Sequence, residues 1–265
     1  MSDSTKYLSK LRGARVLVIG GSSGIGFCVA EACVEHGAIV TVSSSNQDRV
    51  SKAVERLKGS YPSAKERVFG LPVDLSSADT LEVELKKLLE NTKEKLGGEK
   101  LDHVVFTAGN TIPTVLLEDM TMKNIVKAGQ VRFFAPLLLA KFLPTYLNES
   151  YKSSYTITTG TTSEKPVPNW SVVGSYAGGH HSMVRNLALD LKPIRVNGVS
   201  PGAVNTELWN MPANQKDIVL KAVAEKMTTG RPGQPEDVAE SYLVVMKDVN
   251  MDGSVVRTDG GYMLM

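Results

Sequence analysis

A run of glycines follows the first apolar segment of the chain. Residues 15–19 have the composition of a buried strand, and Ile19-Gly20-Gly21-Ser22-Ser23-Gly24-Ile25-Gly26 follows them. Glycines in this pattern permit a tight turn, let the backbone approach a pyrophosphate and let the next helix pack closely on the strand. The helix N-terminus adds N–H donors and a favourable dipole. With a strand before it and a helix after it, the run predicts a dinucleotide-binding loop rather than an ordinary glycine-rich turn.

Uncharged polar residues stand at the end of the second expected strand, in Ser43-Ser44-Ser45-Asn46. An acidic residue at this place binds the ribose hydroxyls of NAD and repels the 2′-phosphate of NADP. Here Ser44, Ser45 and Asn46, with Arg49 one helical turn later, can receive a phosphate without a like-charge penalty. The sequence therefore predicts NADP as the cofactor. The alternative is that these residues only cap the following helix.

A second group of candidate residues carries protic, charged and aromatic side chains. Arg132 lies in the apolar segment 131–142, where a buried guanidinium needs a carboxylate, a phosphate or a substrate acceptor, unless it extends to solvent. Glu164 is the only acid of loop 160–170, and the alternative to a site role is a solvated loop glutamate. The candidate substrate contacts are Thr161, which offers a hydroxyl, and Trp170, Tyr176, Trp209 and Met211. The large residues Trp170, Trp209 and Met211 could form an apolar, aromatic wall, although plain packing would also explain them.

The elements that must position these residues alternate along the whole chain. Strand-like runs are expected at 15–19, 39–42, 68–73, 101–107, 156–159, 194–199 and 254–257, and helices at 27–36, 48–57, 77–96, 120–147, 172–191 and 235–246. Such alternation predicts an α/β fold of the Rossmann type, a doubly wound parallel sheet of about seven strands with helices on both faces. No linker is evident, so we expect a single domain over 1–265. Segment 205–233 lacks periodicity and is expected to be a substrate lid.

Composition narrows the classes of partner. Apolar residues make up 42% of the 265 residues and charged residues 22%, so the chain can bury a sizeable core. A net charge of +2 without a basic cluster disfavours nucleic acid. No apolar run approaches the ~18 residues of a membrane span, and no signal segment is evident, so we expect a cytoplasmic protein. Cys28 and Cys33 lie on different faces of one helix, and the four histidines show no ligand spacing, so we expect no disulfide and no metal.

These motifs together resemble those of the short-chain dehydrogenase/reductase family. The glycine run resembles its T-G-x-x-x-G-x-G signature, with Ile19 in place of threonine. The other matching segments are Asp74, Phe106-Thr107-Ala108-Gly109, Arg195 to Gly202 with Thr206, Arg231 to Ala239, and Asp259-Gly260-Gly261. The resemblance implies that Asp74 and Leu75 lie at the adenine, that Ala108 and Gly109 line the cofactor, and that Pro201, Gly202, Val204 and Thr206 hold the nicotinamide. It also implies a homodimer or homotetramer through helices 120–147 and 172–191.

The catalytic positions depart from that family's Asn, Ser, Tyr and Lys. In the helix at 172–191 the family's register places Val173 and Ala177 where Tyr and Lys belong, and Tyr176 lies three residues late, with His180 in the lysine's relative position. Thr159 replaces the serine and keeps a hydroxyl. Arg132 falls where the asparagine is expected. We therefore expect Arg132, Thr159 and Glu164 to be the catalytic residues.

Loss of the tyrosine changes which reaction fits. Reduction of a ketone needs an acid to protonate the alkoxide, whereas an iminium carbon already carries the charge that draws hydride. Glu164 could stabilise such a cation, and Arg132 could hold a substrate amide or the cofactor phosphates. The pattern resembles a fungal biosynthetic branch of the family that includes reductase/Diels-Alderases of prenylated-indole alkaloid pathways. It implies NADPH-dependent reduction of an iminium or activated alkene in an apolar or aromatic small molecule, coupled to a cyclisation. The alternatives are carbonyl reduction with Tyr176 as a shifted acid, and a cofactor-binding protein without redox turnover.

Overall fold

Parallel strands form a single sheet at the centre of the molecule. The structure, a computed structural model, describes residues 5–110, 114–209 and 212–265. In these parts of the chain seven strands pair in the order β3-β2-β1-β4-β5-β6-β7, all parallel. They are β1 (Arg15–Ile19), β2 (Ile39–Ser44), β3 (Val68–Pro72), β4 (His103–Phe106), β5 (Ser154–Thr158), β6 (Arg195–Pro201) and β7 (Val255–Thr258). The predicted doubly wound sheet of the Rossmann type is confirmed.

Helices cover both faces of the sheet. They are α1 (Gly24–Glu35), α2 (Gln47–Ser60), α3 (Leu81–Lys95), α4 (Met122–Gly129), α5 (Ala135–Ala140), α6 (Leu143–Tyr146), α7 (Ser171–Asp190), α8 (Ala213–Ala224) and α9 (Pro235–Lys247). Val16 and Val18 of β1 belong to the core shared with α1, α2 and α9, whereas Leu17 and Ile19 belong to the core shared with α3, α5 and α7. Side chains alternate between the two faces of a strand, so β1 supports both cores.

The segment 120–147, expected to be mostly helical, is helical with interruptions. The structure breaks this segment into α4, a π-helical turn over Gln130–Phe134, α5 and the short α6. Pro136 and Pro144 cause part of the break, because proline has no N–H to donate and its ring crowds the carbonyl four residues earlier. Turns of π-helix inside α-helices are frequent at functional sites. Arg132 lies in this π turn.

Segment 205–233, which is expected to be a lid, begins and ends at one point beyond β6, where Val204 and Gly233 pair. Val204 forms a parallel bridge with Gly233, and the Asn205 N–H donates to the Gly233 carbonyl at 2.9 Å. Between these two ends lies α8, a helix that the sequence analysis missed. The excursion at 205–233 therefore has a closed base, and its role as a substrate lid stays a prediction.

Arg195 ties the end of the chain to the sheet. Its buried guanidinium donates to five main-chain carbonyls, those of Tyr151, Val245, Met246, Asp248 and Met251. Several of these carbonyls lie at the C-terminal end of α9, where the helix dipole favours a cation. Arg195 therefore stabilises the packing of α9 against the start of β6.

Within the described residues, no helix combines the length and the apolar character that a membrane crossing requires.

Candidate active site

The glycine loop after β1 leaves a cradle of bare backbone. Gly20 has φ of +93°, and a Cβ added there would lie 2.5 Å from the backbone nitrogen of Ala108. A Cβ on Gly26 would collide with the Gly20 carbonyl and the Thr107 hydroxyl. Strand β2 also holds this loop in place, because the Gly20 N–H donates to the Ser43 carbonyl at 2.7 Å. The predicted dinucleotide loop thus has the close packing that requires glycine.

Helix α1 begins at this loop with its first N–H groups open. Ser23 is the N-cap residue, and among the described residues its side chain caps none of them. Thr206 lies beside this helix start, since a Cβ on Gly24 would be 3.3 Å from the Thr206 Cβ. The structure therefore brings together Ser22, Ser23, Gly24, Ile25 and Thr206, which the sequence analysis assigned to the cofactor. An open helix N-terminus of this kind receives a pyrophosphate.

The polar residues after β2 divide into two roles. Asn46 caps α2 by accepting the Arg49 N–H at 2.9 Å, and Arg49 in turn donates to the Ser45 hydroxyl at 3.1 Å. The Ser44 hydroxyl is buried and has no partner in the described chain. A buried hydroxyl without a partner is costly, so Ser44 has an unmet hydrogen-bonding capacity. The capping alternative therefore accounts for Asn46, and a role of Ser44 at the cofactor stays a prediction.

The two residues expected at the adenine, Asp74 and Leu75, follow the end of β3. Asp74 is exposed, and hydrogen bonds from the Ser76 side chain and from the Ser76 N–H, the latter at 2.9 Å, lower the pKa of its carboxylate. Leu75 is buried, and its carbonyl accepts a hydrogen bond from the Gln130 amide at 3.2 Å. This bond joins the end of β3 to the π turn that carries Arg132.

Arg132 lies against the backbone that follows β4. A Cβ on Gly109 would lie 2.6 Å from the Arg132 Cζ, so the guanidinium occupies the space that a side chain would need. One of its terminal nitrogens donates to the Asn110 carbonyl. Its Nε is buried and has no partner within the described ranges. Burial also lowers the pKa of Arg132, because it disfavours the charged form. The guanidinium is therefore a desolvated cation, and one of its donors, Nε, makes no hydrogen bond within the described ranges.

Two hydroxyls that the sequence singled out donate to main-chain carbonyls. The Thr159 hydroxyl donates to Ala177 at 2.9 Å, and the Tyr176 hydroxyl donates to Ile125 at 3.0 Å. Tyr176 also packs on Gly129, where a Cβ would lie 2.5 Å from its ring, and burial raises its pKa. The three-residue offset of Tyr176 thus directs its hydroxyl into α4.

His180 completes this group. Its Nε2 lies 2.8 Å from the Arg132 carbonyl, and desolvation lowers the pKa of His180 to about 4. A neutral imidazole with this partner donates from Nε2.

Loop 160–170 is tied to the C-terminal segment. Glu164 forms an ion pair with Arg257 at 2.6 Å, and Lys165 donates to the Tyr262 carbonyl at 2.8 Å. Thr161 is buried and Trp170 is half-buried at the start of α7. The Glu164 carboxylate is exposed and already has a cationic partner, which weakens its field on a substrate.

The remaining assigned residues lie after β6. Pro201 ends the strand, and a Cβ on Gly202 would lie 2.9 Å from the Asp259 Cα. The Trp209 indole donates to the Val204 carbonyl at 2.6 Å, which fixes the start of the lid segment. Met211 lies outside the described residues. No group of three or more His, Cys, Asp or Glu side chains placed to hold a metal ion occurs in the described parts of the chain.

Known proteins share this architecture and sequence. The family model of the SDR-like Rossmann domain matches residues 7–265. A short-chain dehydrogenase/reductase named fsr5, from Gibberella fujikuroi, is 48% identical over 100% of both chains. The solved MalC reductase/Diels-Alderase from Malbranchea aurantiaca is 41% identical, with a TM-score of 0.92 over 98% of this chain and 100% of the other.

A more distant solved structure contains a cofactor. It is a small-chain dehydrogenase in complex with NADPH, 25% identical, with a TM-score of 0.74 over 95% of this chain and 99% of the other. The glycine cradle, the open start of α1 and the unpartnered Ser44 hydroxyl fit a nicotinamide dinucleotide. The chain therefore belongs to the short-chain dehydrogenase/reductase family of oxidoreductases.

Proposed function

We propose that this protein is an NADPH-dependent reductase of an iminium or activated alkene in fungal secondary metabolism, with the reduction coupled to a cyclisation. Among its relatives, MalC is named a reductase/Diels-Alderase, and MalC spans the whole chain at high structural similarity. NADPH, when bound, supplies the hydride.

One observation carries the proposal: three candidate acids, Thr159, Tyr176 and His180, donate to the protein itself. Thr159, Tyr176 and His180 each have their proton directed at a main-chain carbonyl. Reduction of a ketone needs a positioned acid to protonate the alkoxide. An iminium carbon needs no such proton, because the product amine is neutral when hydride has been added. The geometry therefore favours a substrate that is already activated.

The preference for NADPH over NADH is inferred from the side chains at the end of β2. Ser44 and Ser45 stand where an acidic residue selects NAD, and Arg49 is close enough to donate to the Ser45 hydroxyl. A cation and two hydroxyls suit a 2′-phosphate, whereas a carboxylate would repel it. These contacts support NADPH over NADH.

Arg132 is the residue that we assign to the substrate. Its guanidinium has an unused buried donor and a single main-chain partner in the described chain. Such a fork binds the carbonyl of an amide in a fixed orientation. Glu164 is paired with Arg257, so we assign it a lesser share in stabilising a cation.

We also propose a homodimer or homotetramer. Helices α5 and α7, which the resemblance implies for the interface, carry exposed leucines at Leu137 and Leu189. Exposed large apolar side chains on such helices are suited to burial against a second copy. Light scattering coupled to gel filtration would report the mass, and a monomeric mass contradicts this part of the proposal.

The test of function is a substrate panel. Purified protein is incubated with NADPH and matched cyclic ketones, cyclic imines and N-alkyl iminium salts, and loss of absorbance of the reduced cofactor is followed. We expect turnover of the iminium salts at least tenfold faster than of the ketones. Faster turnover of ketones, abolished by Tyr176→Phe, would instead establish Tyr176 as a shifted acid. NADPH binding without turnover of any class would favour a cofactor-binding protein.

A further inference from the structure

The carbonyl of Arg132 lacks the donor that a regular α-helix would supply four residues later. In an α-helix each carbonyl accepts from the N–H four residues later. Four residues after Arg132 stands Pro136, which has no N–H and whose ring crowds that carbonyl. The carbonyl is instead bonded to the facing helix α7, where the Nε2 of His180 lies at 2.8 Å.

This contact fixes the proton on the His180 ring. A carbonyl oxygen only accepts, so Nε2 must carry the hydrogen, and in the neutral ring Nδ1 is a bare acceptor. Nδ1 is buried and finds no donor in the part of the chain that the structure describes. His180 is only 4% exposed, and its ring packs 5.4 Å from the ring of Phe133. An apolar ring would fill this space without leaving a buried nitrogen unpaired, so the bond to Arg132 is the contact that calls for histidine.

Arg132 is thus held at two places. Its main chain is bonded to His180 in the π turn, and its guanidinium rests on Gly109 and donates to the Asn110 carbonyl. The unused Nε depends on both contacts for its direction. A shift of the π turn would move the whole side chain relative to the end of β4.

We propose that His180 is a positioning residue that holds the π turn and so aims the Arg132 guanidinium at the substrate. The proposal rests on the proposed function in one respect, the contact of Arg132 with substrate. It assigns no proton transfer to His180. Its role is to replace the helical donor that Pro136 cannot provide.

Three variants separate positioning from packing. His180→Phe keeps a ring and removes the donor, whereas His180→Gln keeps an N–H that can reach a carbonyl. His103→Phe is the matched control, because His103 is also 4% exposed and bonds to the Ser154 hydroxyl at 2.8 Å. His103 opens β4 at the end of the strand away from Gly109, so its loss affects stability without touching Arg132.

The first measurement needs no substrate. Hydrogen exchange of the Arg132 Nε–H is followed by NMR, with the resonance assigned by its absence in Arg132→Ala. Because Nε is buried, we expect slow exchange in the wild type, exchange about tenfold faster or more in His180→Phe, and no change in His103→Phe. Unchanged exchange in His180→Phe would overturn the proposal. Nitrogen chemical shifts of the wild-type ring test it without any variant, since a protonated Nδ1 also overturns it.

The second measurement is a double-mutant cycle on kcat/KM for the iminium substrate. We expect His180→Phe to lower kcat/KM about tenfold in the wild type and to have no further effect in Arg132→Ala. We expect His180→Gln to stay within about threefold of the wild type. An equal loss in both backgrounds would show that His180 acts only through stability and would overturn the proposal. If iminium salts are not turned over at all, the proposed function fails, while the exchange and tautomer results still decide the role of His180.

Discussion

Replacement of Arg132 by alanine should separate catalysis from stability. The ion pairs within the described residues do not include Arg132, and its guanidinium has one main-chain partner at Asn110. Removing it loses one hydrogen bond and at the same time relieves a desolvated cation, since burial lowers its pKa. These two contributions oppose each other, so we expect a change in unfolding free energy of less than about 1 kcal/mol.

The effect on activity should be larger. A charge-assisted contact to substrate or cofactor in a dry site contributes about 2 to 4 kcal/mol to the transition state. At about 1.36 kcal/mol per factor of ten, kcat/KM should fall between about 30-fold and 900-fold. Steady-state kinetics with the iminium substrate and thermal unfolding of the same samples measure both quantities.

Arg132→Lys is the matched control for charge. Lysine keeps the cation but lacks the planar fork, so we expect it to recover only part of the loss. A marked drop in Tm for Arg132→Ala, with kcat/KM nearly unchanged in the folded fraction, would refute the assignment and make Arg132 a structural residue.

Three further outcomes are expected. Calorimetric titration should show NADPH binding at least tenfold tighter than NADH, and Ser44→Asp should reverse that order; tighter NADH in the wild type would contradict the cofactor assignment. Tyr176→Phe should keep kcat for the iminium substrate within about threefold, whereas a loss of about 100-fold would restore Tyr176 as the acid. Burial lowers the pKa of His103 and His180 to about 4, so the unfolded chain binds their protons first and stability should fall from about pH 6.5 to 4. Urea unfolding at several pH values measures this, and His103→Phe should flatten the slope.

Much of the fold could be predicted because its signals are local. Strands buried on both faces form apolar runs, and the glycine run after β1 lies between a strand and a helix, so β1 and α1 were predicted with their loop. Helix α8 was missed although Val219, Leu220, Val223 and Ala224 are half-buried at helical spacing, because apolar residues also occupy its exposed face, where Ile218 is 69% exposed. Apolar residues on both faces obscure the periodic pattern by which an amphipathic helix is predicted.

The site was harder to predict because its contacts join distant segments. The sequence identified Arg132 as unusual, but its partners Gly109 and His180 lie 23 and 48 residues away. Pro136 was the signal for the π turn, since a proline inside a helix removes one donor at a known position. Which group replaces that donor depends on how α7 packs against the turn, and spacing alone does not contain that information.

The hydrogen bonds of Arg195 affect how cooperatively the protein unfolds. Four of its five acceptor carbonyls lie between Val245 and Met251, near the end of the chain, and one lies in the segment before β5. If α9 detached, this desolvated cation would lose the Val245 and Met246 carbonyls, and the start of β6 would have to open to water. Helix α9 also packs on α1, which begins at the glycine loop. Loss of α9 would therefore expose the nucleotide-binding half as well, so the two halves of the sheet should melt together in one transition.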